Sequence, residues 1–231
     1  GLVYEAYRVM PYSWAAETPL SNFETKLDNS YREREDKAIT VAFELKNLPK
    51  TFKEKLGTLG TFSTFKLLGW TTTPWTLPSN LALAVDPNMD YLAQIYDNEV
   101  LIIGNFAREK YLDYFGSPPG LRGDTPVKEE KKSVLKTLIK GSSLLNLEYE
   151  PLFPYFQNKH GAFKILNGAS FIEEGSGTGI VHLAPGFGQD DQKVCEKNGI
   201  ELVVPVDGQG KFTDEIYDLP DLKLKGLNVI A

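Results

Sequence analysis

Glycine and proline punctuate most of this chain at intervals of about fifteen residues or fewer, and no other feature of it limits the available folds so strongly. Long helices need uninterrupted stretches, whereas strands of four to eight residues fit between such breaks. The intervals are rich in Val, Ile, Phe, Tyr and Thr, the residue types that suit a pleated and half-buried surface. Strands are therefore expected at Ala38–Leu45, Thr64–Trp70, Leu81–Val85, Tyr91–Tyr96, Val100–Ile103, Phe163–Leu166, Gly179–Leu183 and Leu202–Val206. Helical signals are fewer. Asn105–Tyr114 has Asn105 placed as an N-cap, and Gln189–Lys197 is followed by Asn198-Gly199, a pair suited to a left-handed helix end. A third helical stretch, Lys131–Ile139, follows a charged segment with Pro118-Pro119-Gly120, Ser117–Glu130, that reads as a mobile surface loop. The pattern predicts an α+β chain, predominantly β-barrel-like, with a few peripheral helices. There is no internal repeat.

Composition narrows the function classes. With 231 residues, 42% of them hydrophobic and 12% aromatic, the chain can close a full core as one domain. No window approaches the roughly 18–20 apolar residues of a membrane span, and Gly1–Met10 lacks the profile of a signal peptide. Cys195 stands alone, and with only His160 and His182 beside it there is no ligand set for a structural zinc. A reducing, cytoplasmic setting without metal is expected. A net charge of -6 has the wrong sign for a module that holds nucleic acid mainly by neutralising phosphates. Both ends are apolar, LVYEAYRVMPYSW at the start and Leu227–Ala231 at the finish, as in a domain inserted in a longer chain. Insertion is tolerated where the two ends of a unit lie close together, so the first and last segments are expected to run side by side as strands.

Two stretches carry chemistry. Trp70–Asn80, WTTTPWTLPSN, ends a strand in three consecutive threonines before Pro74 stops the ladder. Each hydroxyl donates one hydrogen bond and accepts two, so the cluster suits a ligand with hydroxyl, ester and phosphate oxygens. The plain alternative is an edge strand turning at a proline. Gly175–Asp191, GSGTGIVHLAPGFGQDD, reads as a glycine turn, a short buried strand with His182, a Pro-Gly-Phe-Gly loop and two carboxylates at a helix start. Capping would explain Asp190 and Asp191, and core packing would explain His182. Pro185, Gly186 and Gly188 nonetheless bend the chain sharply enough to bring His182 and Asp191 to the mouth of one pocket.

These two stretches resemble the two motifs of the editing domain called connective peptide 1 in class I aminoacyl-tRNA synthetases, and specifically the isoleucyl member, down to the nine-residue separation of His182 and Asp191. YSWAAETPLSNFE, KGSSLLNLEYEPLFPYF and VVPVDGQGKF are also similar to the eukaryotic-type, cytosolic isoleucyl enzyme, so the resemblance runs through nearly the whole chain, 1–231, as a single editing domain. Absent are the HIGH-like and KMSKS-like signatures of the ATP-binding body. Phe187 stands where bacterial members often carry a second histidine, and Ser117–Lys140 is organised differently.

The resemblance implies a hydrolase that removes valine from tRNA(Ile), and possible action on valyl-adenylate. Such an activity is needed because a missing methylene alters binding by only about 1–3 kcal/mol, a limit for which isoleucine against valine on the isoleucyl enzyme is the standing instance. Asp191 then corresponds to the carboxylate that pairs with the substrate α-ammonium. Thr71, Thr72 and Thr73 correspond to the cluster that binds substrate and positions the attacking water. Trp70 and His182 correspond to walls of the amino-acid pocket, His182 helping to exclude isoleucine, and Asn80 to a supporting polar residue. Water attack on a labile ester needs positioning and polarisation, with neither metal nor cofactor. No Gly-x-Ser-x-Gly elbow points to an acyl-enzyme. The implied partners are the valine-carrying 3′ end of tRNA(Ile) and the remainder of the synthetase, the isolated unit being a monomer. Two other readings remain: a valyl-type domain that removes threonine from tRNA(Val), and a module that docks the tRNA 3′ end without catalysis.

Overall fold

A computed structural model describes residues 2–27, 30–31, 33, 35–56, 64–96, 99–115 and 136–229. In chain order its elements are β1 (Tyr12–Ser13), β2 (Thr18–Pro19), β3 (Ile39–Lys46), α1 (Lys50–Leu56), β4 (Thr64–Thr71), β5 (Ala82–Val85), β6 (Asp90–Tyr96), β7 (Glu99–Gly104), α2 (Arg108–Phe115), β8 (Lys136–Lys140), β9 (Glu148–Tyr149), β10 (Lys164–Asn167), β11 (Ile180–Leu183) and α3 (Gln189–Lys197). Short 3-10 turns at Pro74–Ser79 and Asn105–Ala107 complete the parts that concern the site.

The barrel closes through β4, β3, β9, β10, β5 and β11, with β11 returning to β4. Closure leaves no free edge around the core, which is how a β structure of short strands avoids exposing unpaired backbone. Inward residues are large and apolar: Phe43, Leu67, Leu83, Ile165 and Ile180 are all almost fully buried. Tyr149 meets Phe43 and Phe163 edge to face, at ring separations of 5.4 and 6.0 Å, and its hydroxyl donates to Asn80 Oδ1 at 2.6 Å. A buried phenol requires such an acceptor.

Strand β4 is shared. Its first half, Thr64 to Leu67, pairs in parallel with β7, and Trp70 further along pairs in parallel with Val181 of β11. The sheet therefore forks within β4, one branch completing the barrel and the other continuing as the β7–β6–β8 meander. Gly69 lies at the fork, where a Cβ would stand 2.8 Å from the Phe43 ring. Bonds that stitch the meander back to the barrel include Gly104 N–H donating to the Thr178 carbonyl at 2.7 Å and the Tyr91 hydroxyl donating to the Gly179 carbonyl at 2.8 Å.

Seven of the expected strands and the helix at Gln189–Lys197 form, and Gly199 ends that helix at φ +69°. Other expectations fail for identifiable reasons. Leu202–Val206 forms no strand; Pro205 lacks a donor, and only Val206 makes a bridge, to Phe212. Residues 131–135 and the Ser117–Glu130 loop lie outside the described residues. Lys136–Ile139, expected as the rest of a helix, belongs to β8, because pairing with β6 along Gln94–Asp90 overrides local preference. Asn105 does not cap a helix; it opens a 3-10 turn without a side-chain cap, and α2 begins at Arg108. Among the described residues the first and last segments do not pair with each other as strands. Tyr7 and Val9 are bonded to α3, while Asn228 bridges Lys211.

Candidate active site

The geometry of the site follows from one pairing. Since β4 and β11 are parallel neighbours, their C-terminal ends emerge at the same end of the barrel. β4 delivers Trp70 and the threonines there, and β11 delivers His182 and the loop that leads to Asp191. A cavity of about 370 Å3 lies between them and is lined by Trp70, Thr71, Thr72, Thr73, His182 and Asp191 together. The glycine turn before β11 supplies another wall, and Thr76, Phe171 and Phe187 complete the apolar and hydroxyl surface. The volume falls within the range of small-ligand clefts.

Each lining group is held by local chemistry. Thr73 N–H donates to Thr71 Oγ1 at 3.0 Å, and the two hydroxyls stand 3.3 Å apart, so the threonine run curls on itself once Pro74 ends the ladder. Thr71 is buried by this, and Thr72 and Thr73 are exposed. Gly177 presses against the indole of Trp70, where a Cβ would come within 2.8 Å, and its φ of +58° suits a residue without one.

His182 is buried, and Nε2 lies 2.8 Å from Thr76 Oγ1. The same Thr76 hydroxyl donates to the Thr73 carbonyl at 2.8 Å. A hydroxyl has one proton, and a carbonyl offers none, so the arrangement that satisfies all three groups has Nε2–H donating to Thr76. Nδ1 is then a bare acceptor, and it is buried without a protein partner. Burial lowers the imidazole to a pKa of about 4, which keeps it neutral at physiological pH. A neutral, clamped ring serves as a wall and a hydrogen-bond acceptor better than as a proton shuttle.

Asp191 is the ionisable group of the pair that can carry charge. Its Oδ2 accepts the Ala184 N–H at 2.9 Å. Gly188 makes room, since a Cβ there would lie 2.5 Å from the Asp191 carboxyl carbon. Desolvation raises the carboxyl to about 6, against the lowering effect of the Ala184 and Asp191 amides, with a further rise from neighbouring Asp190. A partly desolvated carboxylate whose Oδ1 is not the oxygen that holds the Ala184 amide is suited to receive a cation. Capping does not account for Asp190, which points to Lys193 at 3.2 Å on the surface.

Asn80 is set apart from the others. It is not among the lining residues; its Nδ2 donates to the Ala82 carbonyl at 2.9 Å and its Oδ1 is taken by Tyr149, so its amide is spent in the core. Thr76 is not singled out by the sequence, although it stands inside the threonine motif. Its role depends on a residue 106 positions away. Phe187 meets Trp75 edge to face at 4.9 Å and so ties the second motif to the first. Among the described residues no group of three or more His, Cys, Asp or Glu could hold a metal ion, and no helix is long and apolar enough to cross a membrane.

No family model matches the chain. Individual relatives do. It is 52% identical over 228 residues to the isoleucine–tRNA ligase of Rickettsia africae and 53% identical over 234 residues to that of Rickettsia typhi, each alignment covering 99% of this chain. The chain spans 19% and 20% of those enzymes' lengths. Both relatives are bacterial, where the resemblance read from the sequence is to the eukaryotic type, and that part of the expectation is corrected to a bacterial likeness. Among solved structures, the crystal structure of GlLeuRS-CP1 superposes with a TM-score of 0.53 at 22% identity, covering 74% of this chain and 71% of that one. The chain is thus a segment of the isoleucine–tRNA ligase family, and its fold is that of a connective peptide 1 editing domain.

Proposed function

We propose that this cavity hydrolyses the ester of valine misattached to tRNA(Ile). The observation that carries the reading is the single cavity that joins the threonine turn to the Asp191 loop. The Asp191 carboxylate pairs with the substrate α-ammonium through the oxygen not taken by Ala184, a charge-assisted bond that fixes which way the ester carbonyl faces. The hydroxyls of Thr71, Thr72 and Thr73 hold the ester and the attacking water. Water oxygen bonds to the carbonyl carbon, the bond to the ribose oxygen breaks, and the released proton ends on that ribose hydroxyl. Trp70, His182 and Thr76 bound the side-chain end, where a rigid pair locked by a 2.8 Å bond has little room to yield to an added methylene. Valyl-adenylate, with the same amino acid, is a second substrate of this reading.

On this reading the unit works in the cytoplasm as a monomer fused to the rest of a synthetase, its partner is the 3′ end of tRNA(Ile), and no metal or cofactor takes part. The test is direct. Purified chain mixed with Val-tRNA(Ile) is expected to release valine, and Asp191→Ala to lose at least about a hundredfold in rate, the scale of a lost charged contact at the reacting centre. Faster release from Thr-tRNA(Val) would favour the valyl-type reading. Binding of tRNA without release would favour a docking module. Release unaffected by Asp191→Ala would refute the site.

A further inference from the structure

Gln192 follows Asp191 in the sequence but lies about 100° further round α3. Its Oε1 accepts the Val9 N–H at 3.2 Å, and its Nε2 donates to the Tyr7 carbonyl at 2.9 Å. One side-chain amide thus binds the backbone on both sides of Arg8, as one residue of a neighbouring parallel strand would. Grooves of about 510 and 480 Å3 flank this crossing, so the segment passes over α3 with open space on either side and the amide pair between.

On the inner face of the same helix turn, Asp191 Oδ2 holds the Ala184 N–H. The start of α3 is therefore gripped from two directions, by the loop at 184 through residue 191 and by the segment at 7–9 through residue 192. Gly188, just before the helix, contributes no side-chain cap, so the first turn depends on such outside ties for its placement.

We infer that Gln192 is a positioning residue for Asp191: by pinning the first turn of α3 against the 7–9 backbone, it sets where the carboxylate stands in the cavity. The inference rests on the editing reaction proposed above. A tie that only anchors the segment would leave turnover alone, whereas one that sets the carboxylate changes kcat more than KM, because small displacements of a reacting group weigh mainly on the chemical step.

The experiment uses the whole chain with Gln192→Leu, which keeps the bulk and removes both hydrogen bonds, and Gln192→Glu, which keeps the acceptor for Val9 and loses the donor to Tyr7. Deacylation of Val-tRNA(Ile) by Gln192→Leu is expected to show kcat down about tenfold and KM within about twofold, with Gln192→Glu between it and the parent. Amide exchange at Val9 should quicken about tenfold in Gln192→Leu while the Val194 and Cys195 amides stay protected, which marks the helix as intact. Faster Val9 exchange with unchanged kcat, unchanged Val9 exchange, or a rise in KM alone would each overturn the inference. Should Gln192→Leu lose protection in α3, Gln192→Glu decides by the same readouts. A parent chain that releases no valine would instead defeat the editing reading, and Val9 exchange would still report whether the tie exists.

Discussion

Asp191 and His182 respond to pH in opposite senses, and both responses are measurable. The Asp191 carboxyl, raised to about 6, is ionised at pH 7 and mostly neutral at pH 5, so on the proposed reading kcat/KM for Val-tRNA(Ile) should fall with a slope of one below pH 6. An acid limb near pH 4 would mean that the carboxylate is not the group in use. For stability, the folded value lies above the ordinary 3.8, so the folded chain favours the protonated form; stability is lost as pH rises from about 4 to about 6 and stays lost above. Asp191→Asn should therefore melt higher than the parent at pH 8, by up to about 3 kcal/mol in free energy, and no higher at pH 4. His182 has the reverse sign: its folded value of about 4 lies below the ordinary 6.5, and its contribution is intact above 6.5 and lost as pH falls toward 4. Of these residues the sequence marks Trp70, the three threonines, His182 and Asp191, since each lies in a contiguous motif. It does not separate Asn80 from them, because whether an amide faces a cavity or a core tyrosine depends on a strand 69 positions away.

At the scale of elements, the meander matters to the site through its contacts with the glycine turn. Tyr91, buried, receives the Asp86 N–H at 3.1 Å and donates to Gly179 at 2.8 Å. Tyr91→Phe leaves both groups without their partner and should cost about 1–3 kcal/mol, seen as a lower melting temperature. On the proposed reading deacylation should fall as well, because the turn that walls the cavity loses its brace; a loss of stability with unaltered kcat would show that the turn holds its shape unaided. Strands with alternating or continuous apolar runs are legible in the amino-acid order alone. Those that are not are short or set by their neighbours. β9 has two residues, and its pairings with β3 and β10 exist only once the barrel has closed. α1 spans Lys50–Leu56, too short for a periodic signal. β8 carries a sequence that a helix would also accept, and β6 decides the matter.

Taken whole, the molecule is acidic, with a net charge of -6, and its cavity is lined by hydroxyls, aromatics and carboxylates. On the proposed reading it should hold tRNA more weakly than about 1 μM by itself, with a shallow dependence on salt, since few phosphates are neutralised. Tighter binding with a steep salt slope, measured by filter retention across a salt series, would reveal a phosphate-binding surface. The barrel as a class is legible from the spacing of Gly and Pro, but its closure is not, because the parallel join of β4 to β11 links residues more than a hundred positions apart. The fork in β4 also protects the molecule from its own kind. Were the β7–β6–β8 sheet to peel away, Thr64–Leu67 would present a bare row of amides and carbonyls to any passing copy, a ready seed for intermolecular ribbons. The meander is thus a sheath as well as a brace, and agents that loosen it should provoke clumping before they unfold the barrel.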